Sequence, residues 1–290
     1  MTGASKTLII NDPAGYLANA ESVIRPVKAD GCLPLDVPAE GPLRVGVDLG
    51  TAYTVISVLN AEGRPLAGEY QFAQVVRDGL VVDYIGAVDL LTAMRKRVEK
   101  VIGRPLTHAA SGFPPGVPRA EVRATANVVE AAGMRCETLI DEPTAANNVL
   151  GLKEGVIVDV GGGTTGIAVL EKGKVVYTAD EPTGGTHFSL VIAGALGISF
   201  EEAEELKKDP AQQTRLFPIV RPVMEKVAVI TERHIRGMDV HSITLVGGSC
   251  AFPGMDRVVA EITGVPTSVP ERPLLITPLG IALHDTQDLG

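Results

Sequence analysis

The spacing of hydrophobic and polar positions changes repeatedly along this chain. "LRVGVDLG" (43–50) and "YTVISVLN" (53–60) are short β-branched apolar runs that predict two strands joined by Gly50-Thr51-Ala52. "AEGR" (61–64) turns the chain into a third strand. Across 77–103 a short strand gives way to helical spacing, with Leu91, Met94, Val98 and Val101 on one apolar face. "HAASGFPPG" (108–116) predicts a strand and loop, 119–132 a helix, and "CETLI" (136–140) a further strand.

The same order then restarts. "VIVDVGGG" (156–163), "TGIAVLEKG" (165–173) and "KVVYTADE" (174–181) predict three strands, with a turn at Glu171 to Lys174. Helices follow near 187–196, 200–208 and 219–236, then a strand in "HSITLVGGS" (241–249). "MDRVVAEITG" (255–264) is helical, "TSVPE" (267–271) a last short strand, and 277–284 a terminal helix. Alternating β and α elements imply mostly parallel sheets covered by helices.

Residues 1–42 differ, with five prolines and four glycines, and read as a poorly ordered arm or linker. Inside it Leu17, Ala20, Ile24 and Val27 fall at helical spacing, which allows a short helix around 15–25, with the arm either packed on its own domain, the favoured reading, or a docking peptide for a partner. The predicted division is an arm at 1–42, a first lobe at 43–147 and a second at 148–276. The terminal helix packs back on the first lobe.

Composition narrows the function. The 290 residues are 45% hydrophobic, enough for two modest lobes. Lys+Arg is 26 against Asp+Glu 35, a net charge of −9, which argues against nucleic-acid or anionic-membrane partners. Cys32, Cys136 and Cys250 are far apart and form no CxxC, so buried free thiols in a reducing cytoplasm are expected. No apolar run approaches the ~20 residues of a membrane span, and a soluble cytoplasmic protein is the expectation.

The chemistry sits in a repeat. "VGVDLGTAYTVISVL" (45–59) and "VIVDVGGGTTGIAVL" (156–170) share apolar–Asp–apolar–Gly, a threonine past the turn, and a second apolar strand. Glycines let backbone N–H groups approach a phosphate, and carboxylates at strand ends hold Mg²⁺ through water. One such hairpin is more often an ordinary tight turn; two copies favour a grip on a polyphosphate. "GGGTTGI" is no P-loop, since Ile167 follows Gly166 where Lys-Ser/Thr is required. It is no dinucleotide fingerprint either, because its glycines lead into a strand. "IDEPTAAN" (140–147) places Glu142 at a strand end with Pro143 in the first helical turn. "LVGGSCAFPG" (245–254) begins a strand–turn–helix whose bare backbone suits a flat ring.

Together these motifs resemble the actin-like ATPase fold shared by actin, sugar kinases and heat-shock chaperone ATPases, a ribonuclease H-like duplicated βββαβα architecture. The likeness covers about 43–285 and implies an α/β chain with two lobes around a nucleotide cleft. It implies a first phosphate loop at Asp48, Gly50, Thr51 and Ala52 and a second at Asp159, Gly161, Gly162, Gly163 and Thr164. Gly184 and Gly185 match a segment over the phosphates, and Gly247, Gly248 and Ser249 the adenosine loop. The implied ligands are ATP or ADP with Mg²⁺, the metal on Asp48 and Asp159, and Glu142 and Asp159 as catalytic groups. The connecting helices after Glu142 and around Gly280 are the implied pivots of closure.

Within that superfamily, "VVRDGLVVDYIGAV", "DEPTAA", "ADEPTGG" and "GGSCAFPG" resemble a family of ethanolamine-utilisation proteins described as chaperonin-like. That likeness implies association with a bacterial microcompartment and, as partners, its shell proteins or ethanolamine-utilisation enzymes. Rival expectations on the same fold are a small-molecule phosphotransferase of the acetate- or sugar-kinase kind and a polymerising actin-like structural protein. One departure stands out: Gly166 occupies the position of the second acid of chaperone ATPases, which helps position or deprotonate water. No counterpart of the chaperones' catalytic lysine is found. Slow or weak hydrolysis is therefore expected. Elsewhere, "EEAEELKKD" (201–209) reads as a solvated acidic face, His187 as a helix-end residue, and His108, His234 and His241 as structural.

Overall fold

The computed structural model describes residue 8 and residues 10–26, 40–77 and 80–287, with only the backbone of 119–121 described. The chain forms two compact units, residues 1–151 with 275–290, and residues 152–274.

In the first unit β2 (Leu43–Leu49), β3 (Tyr53–Asn60) and β4 (Pro65–Phe72) form an antiparallel meander. β7 (Ala110–Phe113) lies parallel beside β2, and β8 (Leu139–Asp141) parallel beside β7. A minor hairpin of β5 (Val76–Arg77) and β6 (Leu80–Val81) precedes α2 (Tyr84–Ile102). Both faces of β2 and β3 are buried, and one of them puts Val45, Val47, Ile56 and Val58 in a core with Leu91, Met94 and Val98 of α2. Val101 is half-buried at the edge of that stripe, and Ile102 closes it. α3 (Arg119–Ala131) follows the β7 loop, and α4 (Glu142–Leu150) follows β8.

The stretch predicted as an arm is partly built into this unit. α1 (Pro13–Val23) leads into β1 (Ile24–Pro26), which pairs parallel with β4 at the sheet edge. Leu17, Ala20 and Ile24 are buried. Pro13 opens α1 after the N-cap Asp12, where its missing N–H costs little, so the apolar spacing prevails over the proline content. Val27, Cys32, Pro34 and Pro38 lie outside the described residues.

α9 (Pro273–His284) also belongs largely to the first unit. Asp285 accepts from Val45 N at 2.8 Å and meets His108 Nδ1 at 2.8 Å. Arg44 donates to the carbonyls of Leu283 and Asp285. Close packing sets the path of α9: a Cβ on Gly280 would lie 1.8 Å from Ala145 O of α4, and one on Gly46 2.5 Å from Ala282 N.

The second unit repeats the plan. β9 (Gly155–Val160), β10 (Thr165–Glu171) and β11 (Lys174–Glu181) form the meander, with β12 (Ile243–Val246) and β13 (Thr267–Ser268) parallel beyond β9. α5 (Gly185–Leu196), α6 (Phe200–Lys208), α7 (Pro210–Ile235) and α8 (Met255–Thr263) follow the predicted order. α7 starts nine residues before the predicted 219 and runs through Pro218 and Pro222. Each proline removes a helical hydrogen bond. Burial of Leu216, Val220, Val223, Met224 and Val227 in the core offsets that loss.

Candidate functional site

β9 delivers Asp159 one residue before its end, and only 7% of that residue is exposed. Past it Gly161 N donates to Thr164 O at 3.0 Å and closes the hairpin, with Gly162 and Gly163 at its tip. The hairpin is held by its carbonyls. Gly161 O accepts from Gly185 N at 2.9 Å and Ser249 Oγ at 2.7 Å, and Gly162 O from Thr186 N at 2.8 Å. A Cβ on Gly184 would lie 2.7 Å from Gly161 O and 2.8 Å from Gly162 O, so the two loops meet backbone to backbone. Gly184 and Gly185 thus position the Gly161–Gly163 hairpin, with the Gly185 amide already engaged by it. His187 takes the helix-end role, its Nδ1 accepting from Gly184 N at 3.3 Å.

The turn after β12 packs on the same acid. Gly247 has φ +88°, and a Cβ there would lie 2.4 Å from Asp159 Oδ1 and 2.5 Å from Val160 O. Glycine meets both demands, the left-handed backbone and the contact. The 3₁₀ turn Gly248–Ala251 then aims Ser249 at the hairpin. Cys250 beneath it is buried, and burial together with the charge of Asp159 pushes its thiol far up. Burial pushes Cys136 up to about 12. Both thiols are inert at neutral pH.

Beside Ser249 lies a cavity of about 190 Å³, lined among others by Phe188, Lys207, Lys208, Gln213, Gly248 and Phe252. Phe188 and Phe252 meet edge to face at 6.1 Å and give it an apolar wall. Lys207 Nζ donates to Glu204 Oε2 at 2.6 Å, Ser189 Oγ at 3.0 Å and Gly185 O at 3.2 Å. Burial works to raise the pKa of Glu204, but Lys207, Ser189 and Lys208 outweigh it and hold the carboxyl below its ordinary range. Burial lowers Lys207, against the pull of Glu204.

The solvated-face reading of "EEAEELKKD" therefore fails at two positions, since Glu204 is buried and the Lys207 side chain is only 15% exposed. The signal was present in the spacing. Phe200, Ala203 and Leu206 mark the inward face of α6, and Glu204 and Lys207 flank it one turn apart.

The first unit carries the matching hairpin. Gly50 N donates to Tyr53 O at 3.0 Å, the same closure as Gly161 to Thr164, and a Cβ on Gly50 would lie 2.7 Å from that oxygen. Asp48, Thr51 and Ala52 are half-buried around it. Glu142 opens α4, capped by Asp141, which accepts from Thr144 N at 3.0 Å. His108 and His234 are structural in their contacts: His108 meets Asp285, while His234 bridges Tyr177 and Glu181. His241 is exposed beside Asp239.

Comparison with known proteins accords with this architecture. The model of the cell division protein FtsA matches residues 156–280, and that of the MreB/Mbl protein residues 67–209. MreB 5 of Spiroplasma citri, solved bound to AMPPNP, superposes with a TM-score of 0.67 over 83% of this chain and 95% of that one. At 17% identity it shows the fold alone. The crystal structure of ethanolamine utilization protein EutJ from Carboxydothermus hydrogenoformans superposes with a TM-score of 0.82 at 47% identity, covering 86% of this chain and 92% of that one. EutJ of Escherichia coli (strain K12) is 43% identical over 252 residues, 87% of this chain and 89% of that protein. The chain has the actin-like ATPase fold and belongs to the family of the ethanolamine utilization protein EutJ.

Proposed function

We propose that this protein binds ATP or ADP with Mg²⁺ and serves ethanolamine utilisation as a nucleotide-dependent accessory factor. The observation that carries the nucleotide is the bonding within the second unit. One carbonyl, Gly161 O, ties the phosphate hairpin to the start of α5 and to Ser249. Ser249 also lines the cavity. An apolar wall with a lysine and amide rim suits a flat ring with polar edges, so the base takes the cavity and the phosphates take the hairpin. Gly50, Thr51 and Ala52 offer the same kind of loop in the first unit.

The residues fit Mg²⁺. Asp159 is a hard oxygen donor whose carboxylate is set against Gly247, and Asp48 stands at the matching place in its own hairpin. Each offers an oxygen that would hold the ion through water, as Mg²⁺ prefers. The bound ion would neutralise phosphate charge. Glu142, at the head of α4, would orient water.

The role in ethanolamine utilisation rests on the EutJ relatives and extends to their setting. The partner would be an ethanolamine-utilisation enzyme or a microcompartment shell protein that reads the nucleotide state. Movement at α4 and α9 would carry that state, because Gly280 and Ala145 pack backbone against backbone there.

A thermal shift with Mg·ATP tests the nucleotide reading. Ligand at a hundredfold over Kd adds about 2.7 kcal/mol, which is ~5–10 °C for a chain of this size. Asp159→Ala is expected to lose the shift. No shift in the wild type, or an equal shift in the variant, rejects the assignment.

A further inference from the structure

Gly166 pairs with Asp159 across one side of β10 and with Asp180 across the other. Directly opposed residues on neighbouring strands share a face. The alternate positions belong to the other face: Val158 and Ile167 lie in the core, with Ala179 packed against it. Asp159, Gly166 and Asp180 therefore form one row, and the middle of the row has no side chain. Two strand spacings put the aspartate Cα atoms ~10 Å apart, a separation that leaves room for a water over the bare middle position.

The row lies next to the pair Val160–Thr165, from which the phosphate hairpin springs. Asp159 is 7% exposed, and one carboxylate oxygen of Asp180 is shut off from solvent. Neighbouring Glu181 is engaged elsewhere, with Arg233 and His234. The first unit supplies an internal contrast. Its equivalent row is Asp48, Val55 and Tyr70, with a single acid and a filled centre. The second acid is thus particular to one of the two hairpins.

We propose that Asp180 supplies the missing second carboxylate of this hairpin, reaching over Gly166 to hold the water that attacks the terminal phosphate of bound ATP. This rests on the nucleotide-binding reading above. The water oxygen forms its bond to the γ-phosphorus, and the bond from that phosphorus to the bridging oxygen breaks. ADP leaves with the electron pair, and the proton lost by the water passes to the Asp180 carboxylate and on to solvent. Asp159 keeps the separate task of facing the metal. The acid has moved one strand along while its place on the sheet face is kept.

The test measures Mg·ATP affinity and turnover on the full chain. Asp180→Asn keeps the size of the side chain, so Kd is expected within threefold of wild type while kcat falls at least tenfold. Adding Gly166→Asp to that variant returns an acid to the row and is expected to recover at least threefold in kcat. Unchanged turnover in Asp180→Asn, a loss confined to KM, or no recovery in the double variant overturns the role of Asp180. A wild type that binds Mg·ATP without turning it over does the same and leaves the nucleotide reading standing. A wild type that does not bind Mg·ATP overturns both.

Discussion

Ser249 Oγ donates to Gly161 O at 2.7 Å, fastening the turn after β12 to a hairpin 88 residues earlier in the chain. The same carbonyl accepts from Gly185 N, so one oxygen joins three loops. Ser249→Ala removes one of these bonds, about 1 kcal/mol. ATP is expected to bind roughly fivefold more weakly, as read by calorimetry, with far-UV circular dichroism unchanged.

Lys207 joins α6 to α5 through Gly185 O and Ser189 Oγ and pairs with Glu204 of its own helix. Lys207→Met leaves buried Glu204 with only the more exposed Lys208, 3.6 Å away, and truncating the close partner of such a pair is expected to cost about 3 kcal/mol. Urea unfolding is expected to show that loss. Adding Glu204→Leu recovers much of it, since the stranded charge is then gone.

Acid sensitivity follows from Glu204. Its carboxyl titrates below the ordinary value of about 4.3 in the folded chain. A depressed carboxylate contributes stability above its unfolded pKa and loses it as pH falls through the folded pKa. The gap in urea midpoint between wild type and Glu204→Gln is therefore expected to be widest near pH 7. It narrows steadily as the pH drops below about 4.

Gly280 is a packing glycine, because a Cβ there would strike Ala145 O at 1.8 Å. Gly280→Ala forces α9 and α4 apart and is expected to cost about 2–3 kcal/mol. Gly103→Ala is the contrast: its φ is +73° and nothing lies within 4 Å of the added Cβ. Backbone strain alone makes that change cost about 1 kcal/mol. Thermal melts of the two variants separate the effects.

Much of this was legible in the sequence. The β-branched apolar runs of β2, β3, β9 and β10 and the helical stripe of α2 are local signals, and the structure places all five where they predict. The repeated Asp-x-Gly turn was legible too, because a hairpin of that length closes through its own backbone in both units. α7 was legible only in part, since the gain from burying Leu216 and Val220 across Pro218 is a tertiary quantity. Lys207 and Glu204 were legible only in part for a related reason: the apolar spacing of α6 marks its inward face, but a charged pair beside it reads as solvated until another element shields it.

What the chain alone determined is thus the order of its elements, the duplication and the residue types at each turn, all set by contacts a few positions apart. The tertiary structure decided which loops touch and which strands lie side by side. Gly161 O accepts from two donors because loops distant in sequence converge on it, and every residue offers the same carbonyl, so no letter of the sequence marks it. Asp180 stands across from Gly166 because of the β10–β11 register. Together with the β9–β10 register, which sets Asp159 on the other side of Gly166, that pairing of backbones turns two separated aspartates into one row.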